Sequence, residues 1–215
     1  MNVTIIGAGN MGKGIGYRIA AGGHSITLVD SNPEAAENLR EELHSVMRKG
    51  ATISTASLEE VTPGEVVILA LWYGVNLEVA KLLADRLEDR IVVDVANPVN
   101  ATWDGLTTPP DSSSAEELAK VVPASAKVVK AFNTTFAGTL VNGNVGGIPL
   151  DVFIAGDDEA ARQVVAGLVS DGGLVPVETG PLQRARILEG LGFLGISLQG
   201  MHHLNFSTGW KLIRP

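Results

Sequence analysis

A chain of 215 residues is long enough for one full domain and a smaller appended unit. With 45% hydrophobic and 19% charged residues it can fill a sizeable core, which excludes general disorder. Sixteen basic against twenty-four acidic residues give a net charge of −8, which opposes the phosphate attraction behind nucleic-acid binding and excludes that class of partner. There is no cysteine, so disulfides, thiolate nucleophiles and Cys-based zinc sites are excluded together. The longest apolar run, Val66 to Tyr73, is far short of the roughly 20 residues a membrane helix needs, and no basic segment precedes the first apolar run. The expectation is a soluble cytoplasmic protein with no membrane partner.

In chain order, short Val/Ile-rich runs alternate with segments of helical period. Strands are expected at Val3–Ile6, Ser25–Val29, Thr52–Ser54, Val66–Ala70, Ile91–Val95 and Lys127–Phe132. Helices are expected between them at Met11–Ala21, Pro33–Lys49, Val75–Leu87 and Ser114–Val121. Such alternation argues for a doubly wound parallel α/β sheet of the Rossmann type. The stretch Asn97 to Ser114 holds three prolines and reads as a functional loop or lid. The run Asn142-Gly143-Asn144-Val145-Gly146-Gly147 has the most backbone freedom, so the domain boundary is placed there, with residues 1–145 as a dinucleotide-binding domain and residues 146–215 as a small C-terminal α/β domain. The latter should contain strand Asp151–Ile154, helix Asp158–Ser170, strand Leu174–Val177 and a long apolar helix from Gln183 to about Leu204. Apolar residues surround most of that last axis, so it must be buried in the core or against a second subunit, and a homodimer is expected.

Gly7-Ala8-Gly9-Asn10-Met11-Gly12 follows the first strand and opens a helix, and Asp30 closes the second strand 18 residues beyond Gly12. Strand, loop, helix and acid together form a complete dinucleotide fingerprint. Gly7 makes the tight turn, Gly9 lets backbone approach a pyrophosphate, and Gly12 lets helix and strand pack closely, while the pyrophosphate rests on the helix N-terminus. Asp30 can accept from a ribose diol and would repel a 2′-phosphate, which favours NAD over NADP; Ser31 and Asn32, which follow it, could still hydrogen-bond such a phosphate.

The run Gly7 to Gly14, the run Val129-Lys130-Ala131-Phe132-Asn133-Thr134, Ala155-Gly156-Asp157-Asp158 and Gly180-Pro181-Leu182 resemble, in order and over nearly the whole chain, the family of deazaflavin (coenzyme F-420) dependent NADP oxidoreductases. The resemblance implies a Rossmann domain, a small C-terminal domain, and a cleft in which nicotinamide and deazaflavin stack. It implies Gly9, Asn10 and Met11 at the pyrophosphate and Ser31 and Asn32 near the adenosine ribose. It further implies cofactor contacts from Leu71, Trp72, Asn97 and Pro98 at strand ends, with Asn133, Thr134 and Thr135 over the nicotinamide as the candidate catalytic residues. Two departures stand out: Asp30-Ser31-Asn32 replaces the family's basic residue after the second strand, and Asn133 stands where the family can carry a His.

Hydride transfer between two rings needs stacking and distance control, because the cofactors carry the chemistry. The chain accordingly offers no Tyr-x-x-x-Lys pair and no Gly-x-Ser-x-Gly or His-Glu-x-x-His motif. Lys130 reads as a strand-edge residue. His202 and His203 point about 100° apart on a helix, too far to share a metal, and read as cleft or interface residues. Trp72 is balanced between packing and bracketing a planar ring. The expected activity is hydride transfer between NAD(P)(H) and a small-molecule redox partner, a deazaflavin or flavin-like acceptor. Two alternatives stand beside it: an NAD(P)H-dependent reductase of a small carbonyl or imine, and a dinucleotide sensor without activity.

Overall fold

The computed structural model describes residues 1–214. Its frame is a single eight-stranded sheet built from β1 (Asn2–Ile6), β2 (Ser25–Val29), β3 (Ile53–Ala56), β4 (Val66–Leu69), β5 (Ile91–Asp94), β6 (Lys127–Lys130), β9 (Asp151–Gly156) and β10 (Val175–Gly180). The order across the sheet is β10-β9-β6-β5-β4-β1-β2-β3. The first six strands run parallel, with β1 pairing β2 on one side and β4 on the other. The chain therefore winds outward from β1 in one direction, then resumes at β4 and winds the other way. That reversal leaves a crevice at the C-terminal ends of β1 and β4, where open α/β sheets bind ligands.

Helices cover both faces, as a sheet buried on both sides requires. On one face α1 (Asn10–Gly22), α2 (Pro33–His44) and α6 (Glu159–Asp171) close a core of Ile5, Ile15, Ile19, Leu28, Leu43, Val165 and Leu168. On the other, α3 (Tyr73–Leu82) and α4 (Ser114–Ala119) cover Val67, Leu69, Val92 and Leu87. All four residues of β4 are buried, which explains its unbroken Val-Val-Ile-Leu run.

The glycine-rich run Asn142–Gly147 is ordered. It ends a short helix, α5 (Ala137–Asn142), and continues into a two-residue hairpin of β7 (Asn144–Val145) and β8 (Ile148–Pro149), with Gly143, Gly146 and Gly147 in the left-handed region. The expected boundary at 145/146 falls in this hairpin, and the sheet runs on across it: β9 pairs antiparallel to β6, and β10 parallel to β9. The last helix, α7 (Ala185–His202), lies against α4.

Several boundaries moved. The second helix stops at His44 rather than Lys49, where the Ser45 hydroxyl donates to the Glu42 carbonyl. The third starts at Tyr73 and ends at Leu82, followed by a turn of 3-10 helix at Ala84–Arg86. The sixth strand ends at Lys130, before Phe132 takes a left-handed conformation (φ 63°) and turns the chain.

Candidate functional site

The first element of the site is the loop between β1 and α1. Gly7 sits at φ 105° and Gly9 caps the helix with no side-chain hydrogen bond. No acidic residue lies in the first turn of α1, so its positive end is left unneutralised and open to an anion. The loop is held from the next strand. Asp30 Oδ2 accepts from the Ala8 amide at 2.7 Å, and Oδ1 accepts from the Asn32 amide at 2.9 Å. Asp30 thus shapes the glycine loop itself, beyond the ribose contact read from the sequence. Asn32 has a structural task too, since its Oδ1 accepts from the Glu34 amide and caps α2. Ser31 is exposed beside it.

Beneath this loop lies a cavity of about 530 Å³, lined among others by Gly7, Asp30, Ser31, Thr55, Leu71 and Val75. Its charged lining residues are Asp30 and Glu59, both acidic. Leu71 forms the wall nearest Gly7. Trp72, 71% exposed, is the N-cap of α3 and no part of the core.

The second element gathers at the ends of β5 and β6. Asn97 Nδ2 donates to the Asn133 carbonyl at 2.7 Å, and Asn133 Nδ2 returns a bond to Asn97 Oδ1 at 2.9 Å while also donating to the Leu188 carbonyl of α7 at 2.8 Å. These three bonds tie both strand ends to the last helix. Pro98 anchors the loop that follows, its carbonyl accepting from both the amide and the hydroxyl of Thr107. That loop carries a Val99–Leu106 bridge, so the expected lid has its own local order. The Thr135 hydroxyl donates to the Phe132 carbonyl at 2.6 Å and stabilises the left-handed turn. Asn133 Oδ1 and Thr134 Oγ1, by contrast, are buried and have no partner. Buried polar atoms without partners are costly, and these two lie together at the strand ends.

Below that pair lies a cluster the sequence reading missed. Lys130 is no strand-edge residue: β6 is interior, and the side chain is fully buried. Its Nζ donates to Asp94 Oδ2 at 2.8 Å, to Glu189 Oε1 at 2.7 Å and to the Ala96 carbonyl. Both carboxylates have further donors. Asp94 accepts from the Ser114 hydroxyl, Asn76 Nδ2 and the Ala96 amide, and Glu189 Oε2 accepts from the Ser114 amide. Burial pushes the Glu189 carboxyl above its usual value while Lys130 pulls it back.

A third space opens on the far side of α1. A cavity of about 1050 Å³ is lined by Asn10, Lys13, Phe136, Asn144, Asn205 and Phe206 among others. Phe136 and Phe206 meet edge to face with centroids 5.3 Å apart. His202 and His203 end α7 exposed to solvent, and neither lines this cavity.

The comparisons agree with this geometry. The family model for NADP oxidoreductase, coenzyme F420-dependent, matches residues 2–98, from β1 to the residue after Asn97. A protein of Arthrobacter sp. FB24, named as a candidate F420-dependent NADP reductase, is 26% identical, with a TM-score of 0.83 over 99% of both chains. Metalloreductase STEAP3 of Rattus norvegicus is 31% identical over 189 residues, 88% of this chain, and the chain spans only 36% of that relative's length. An imine reductase of Streptomyces aurantiacus shares the fold, with a TM-score of 0.67 at 16% identity over 95% of this chain and 64% of its own.

Proposed function

We propose, from the match of residues 2–98 to the coenzyme F420-dependent NADP oxidoreductase family, that the chain is an oxidoreductase moving hydride between a nicotinamide cofactor and a planar, deazaflavin- or flavin-like partner. The observation that carries it is the combination of an open helix N-terminus over the Gly9 loop with two orphaned buried atoms, Asn133 Oδ1 and Thr134 Oγ1, at the neighbouring strand ends. A nicotinamide dinucleotide fits this pair of features, pyrophosphate at one and carboxamide at the other. When bound, it supplies the hydride.

The chain's own residues bind and orient. The amides after Gly9 and the helix dipole hold the diphosphate. The 530 Å³ cavity takes the adenosine end, with Asp30, Ser31 and Leu71 among its lining residues. The Asn133 oxygen would accept from a carboxamide amine and the Thr134 hydroxyl would donate to its oxygen, while the Asn97–Asn133 pair ties both strand ends to α7. Trp72, next to Leu71 in the chain, stands exposed. The partner ring enters from the 1050 Å³ cavity, where Asn10, Asn144 and Asn205 offer amide groups and Phe136 an apolar face. No acid or base is needed, because the step gains from alignment and from exclusion of water. Asn133→Ala and Thr134→Ala should each slow single-turnover hydride transfer about 10- to 100-fold. A total loss in either one, with cofactor affinity intact, would point instead to an acid-base reductase of a carbonyl or imine.

We infer that NAD(H) is bound at least as tightly as NADP(H). The support is electrostatic: a 2′-phosphate entering the adenosine cavity meets Asp30 and Glu59 and no base among its lining residues. Calorimetric titration with both cofactors should show this, and a tenfold preference for NADP(H) would overturn it. The absence of cysteine supports a cytoplasmic setting.

We also propose a homodimer through α7, on the unit formed by residues 146–215. The buried face of that helix carries Leu188, Gly192, Gly195 and Gln199, whereas Ile187, Leu194 and Met201 repeat every seven residues on the opposite side at 60%, 48% and 70% exposure. These three exposed apolar residues, one every two turns with Gly190 and Ser197 between them, are the support for a two-fold copy packing there. Light scattering should give twice 22.5 kDa at micromolar concentration, and a monomer would remove the proposal.

A further inference from the structure

The buried cluster of Lys130, Asp94 and Glu189 contains two carboxylates and one ammonium. All four carboxylate oxygens accept hydrogen bonds, and the donors are an ammonium, a hydroxyl, a side-chain amide and backbone N–H groups. With both carboxylates ionised, a state these donors serve, the cluster carries one negative charge more than Lys130 compensates, out of reach of solvent. The Ser114 amide spreads that charge but cannot cancel it.

The cluster is bonded to the strand ends where the nicotinamide is proposed to lie. Lys130 grips the carbonyl of Ala96, the residue before Asn97, and Glu189 follows Leu188, whose carbonyl receives Asn133. Tyr73, next to Trp72, has its phenol held above the usual range by burial first, and the carboxylates of Glu117, Glu189 and Asp94 push it the same way.

Resting on the cofactor reading above, we propose that Asp94 and Glu189, through this net negative charge, make the site favour the oxidised, cationic nicotinamide over the reduced, neutral one. The two redox states differ by one positive charge on the ring, so a fixed anion near it discriminates between them where contacts of shape cannot. Tighter binding of the oxidised form makes the bound reduced form the stronger hydride donor. The protein is thereby biased toward passing hydride from nicotinamide to its partner. Glu189 and Asp94 are positioning residues of this equilibrium, touching neither ring.

The test is the ratio of two dissociation constants, for NAD⁺ and for NADH, measured by calorimetry on the full-length protein. Glu189→Gln keeps the shape and removes one charge, leaving a neutral Asp94–Lys130 pair. The ratio of the NAD⁺ to the NADH constant should rise on the order of tenfold. Asp94→Asn should shift it in the same direction and replaces Glu189→Gln if that variant fails to fold. Gly192→Ala serves as the uncharged control. Its new methyl would lie 2.5 Å from Asn97 Oδ1, so it disturbs the same wall and should weaken both forms alike. Equal shifts of both constants in Glu189→Gln or Asp94→Asn, or no shift, would overturn the inference while leaving the cofactor reading intact. A wild-type protein that binds neither form would overturn both.

Discussion

Gly9→Val should leave the protein folded and abolish dinucleotide binding. The backbone at Gly9 has φ −72° and ψ −167°, which any residue adopts, and an added Cβ meets nothing within 4 Å. The space beyond is where a diphosphate would rest, so the valine side chain fills the ligand's place and nothing else. At the N-cap of α1 an aliphatic residue costs about 1 kcal/mol, a change of a few degrees in Tm for a chain of this size. Affinity should fall at least about 100-fold, measured by titration beside a thermal melt. The neighbouring glycines behave differently. A Cβ on Gly12 would stand 1.8 Å from the Gly7 carbonyl oxygen, and one on Gly7 2.6 Å from that of Ala70, at a φ that side chains avoid. Substitution at either damages the loop itself. Wild-type affinity in Gly9→Val would place the cofactor somewhere other than this loop.

Lys130→Met should be the most destabilising single change in the molecule's interior. It leaves Asp94 and Glu189 facing each other, fully buried, without the ammonium that holds them. Breaking a buried ion pair by removing one partner costs about 3–5 kcal/mol. Against a typical total stability of roughly 5–15 kcal/mol that is a large share, and Tm should fall on the order of 10 °C. Adding Glu189→Gln to Lys130→Met removes one of the two stranded charges and should recover part of the loss. Thermal or denaturant unfolding of the single and double variants decides it. A Lys130→Met protein as stable as wild type would mean that one carboxylate simply takes up a proton at little cost.

What could be read from the chain and what could not divides along sequence distance. The fingerprint from Gly7 to Asp30 is local: a strand, a turn and a helix whose glycines and closing acid fall within one βαβ unit, so residue type and spacing sufficed. The parallel strands were legible because β4 and β5 are buried on both faces and carry unbroken Val/Ile runs. The ion cluster was not, since Lys130 meets Asp94 across 36 residues and Glu189 across 59. A lysine at the end of a strand reads as a solvated edge until the sheet order shows β9 beyond it. One signal was available: Glu189 is the one acidic residue of α7, set between Leu188 and Leu191. Helix α5 also escaped notice, because Ala-Gly-Thr-Leu-Val-Asn has no helical period and is held by packing of Leu140 against Gly14 of α1. Asp30 shows the same limit at short range. Its position announced a ribose ligand, and only the structure adds that its carboxylate braces the Ala8 amide.

Anaerobic stopped-flow mixing of the protein loaded with reduced nicotinamide cofactor, deuterated at C4, against coenzyme F-420 and against FMN tests the central claim most directly. The account predicts transfer in one step with a primary deuterium isotope effect, one equivalent of reduced acceptor appearing for each cofactor oxidised, and the label retained at carbon in the deazaflavin. Tight cofactor binding with no transfer to either acceptor would contradict it and identify the chain as a dinucleotide sensor.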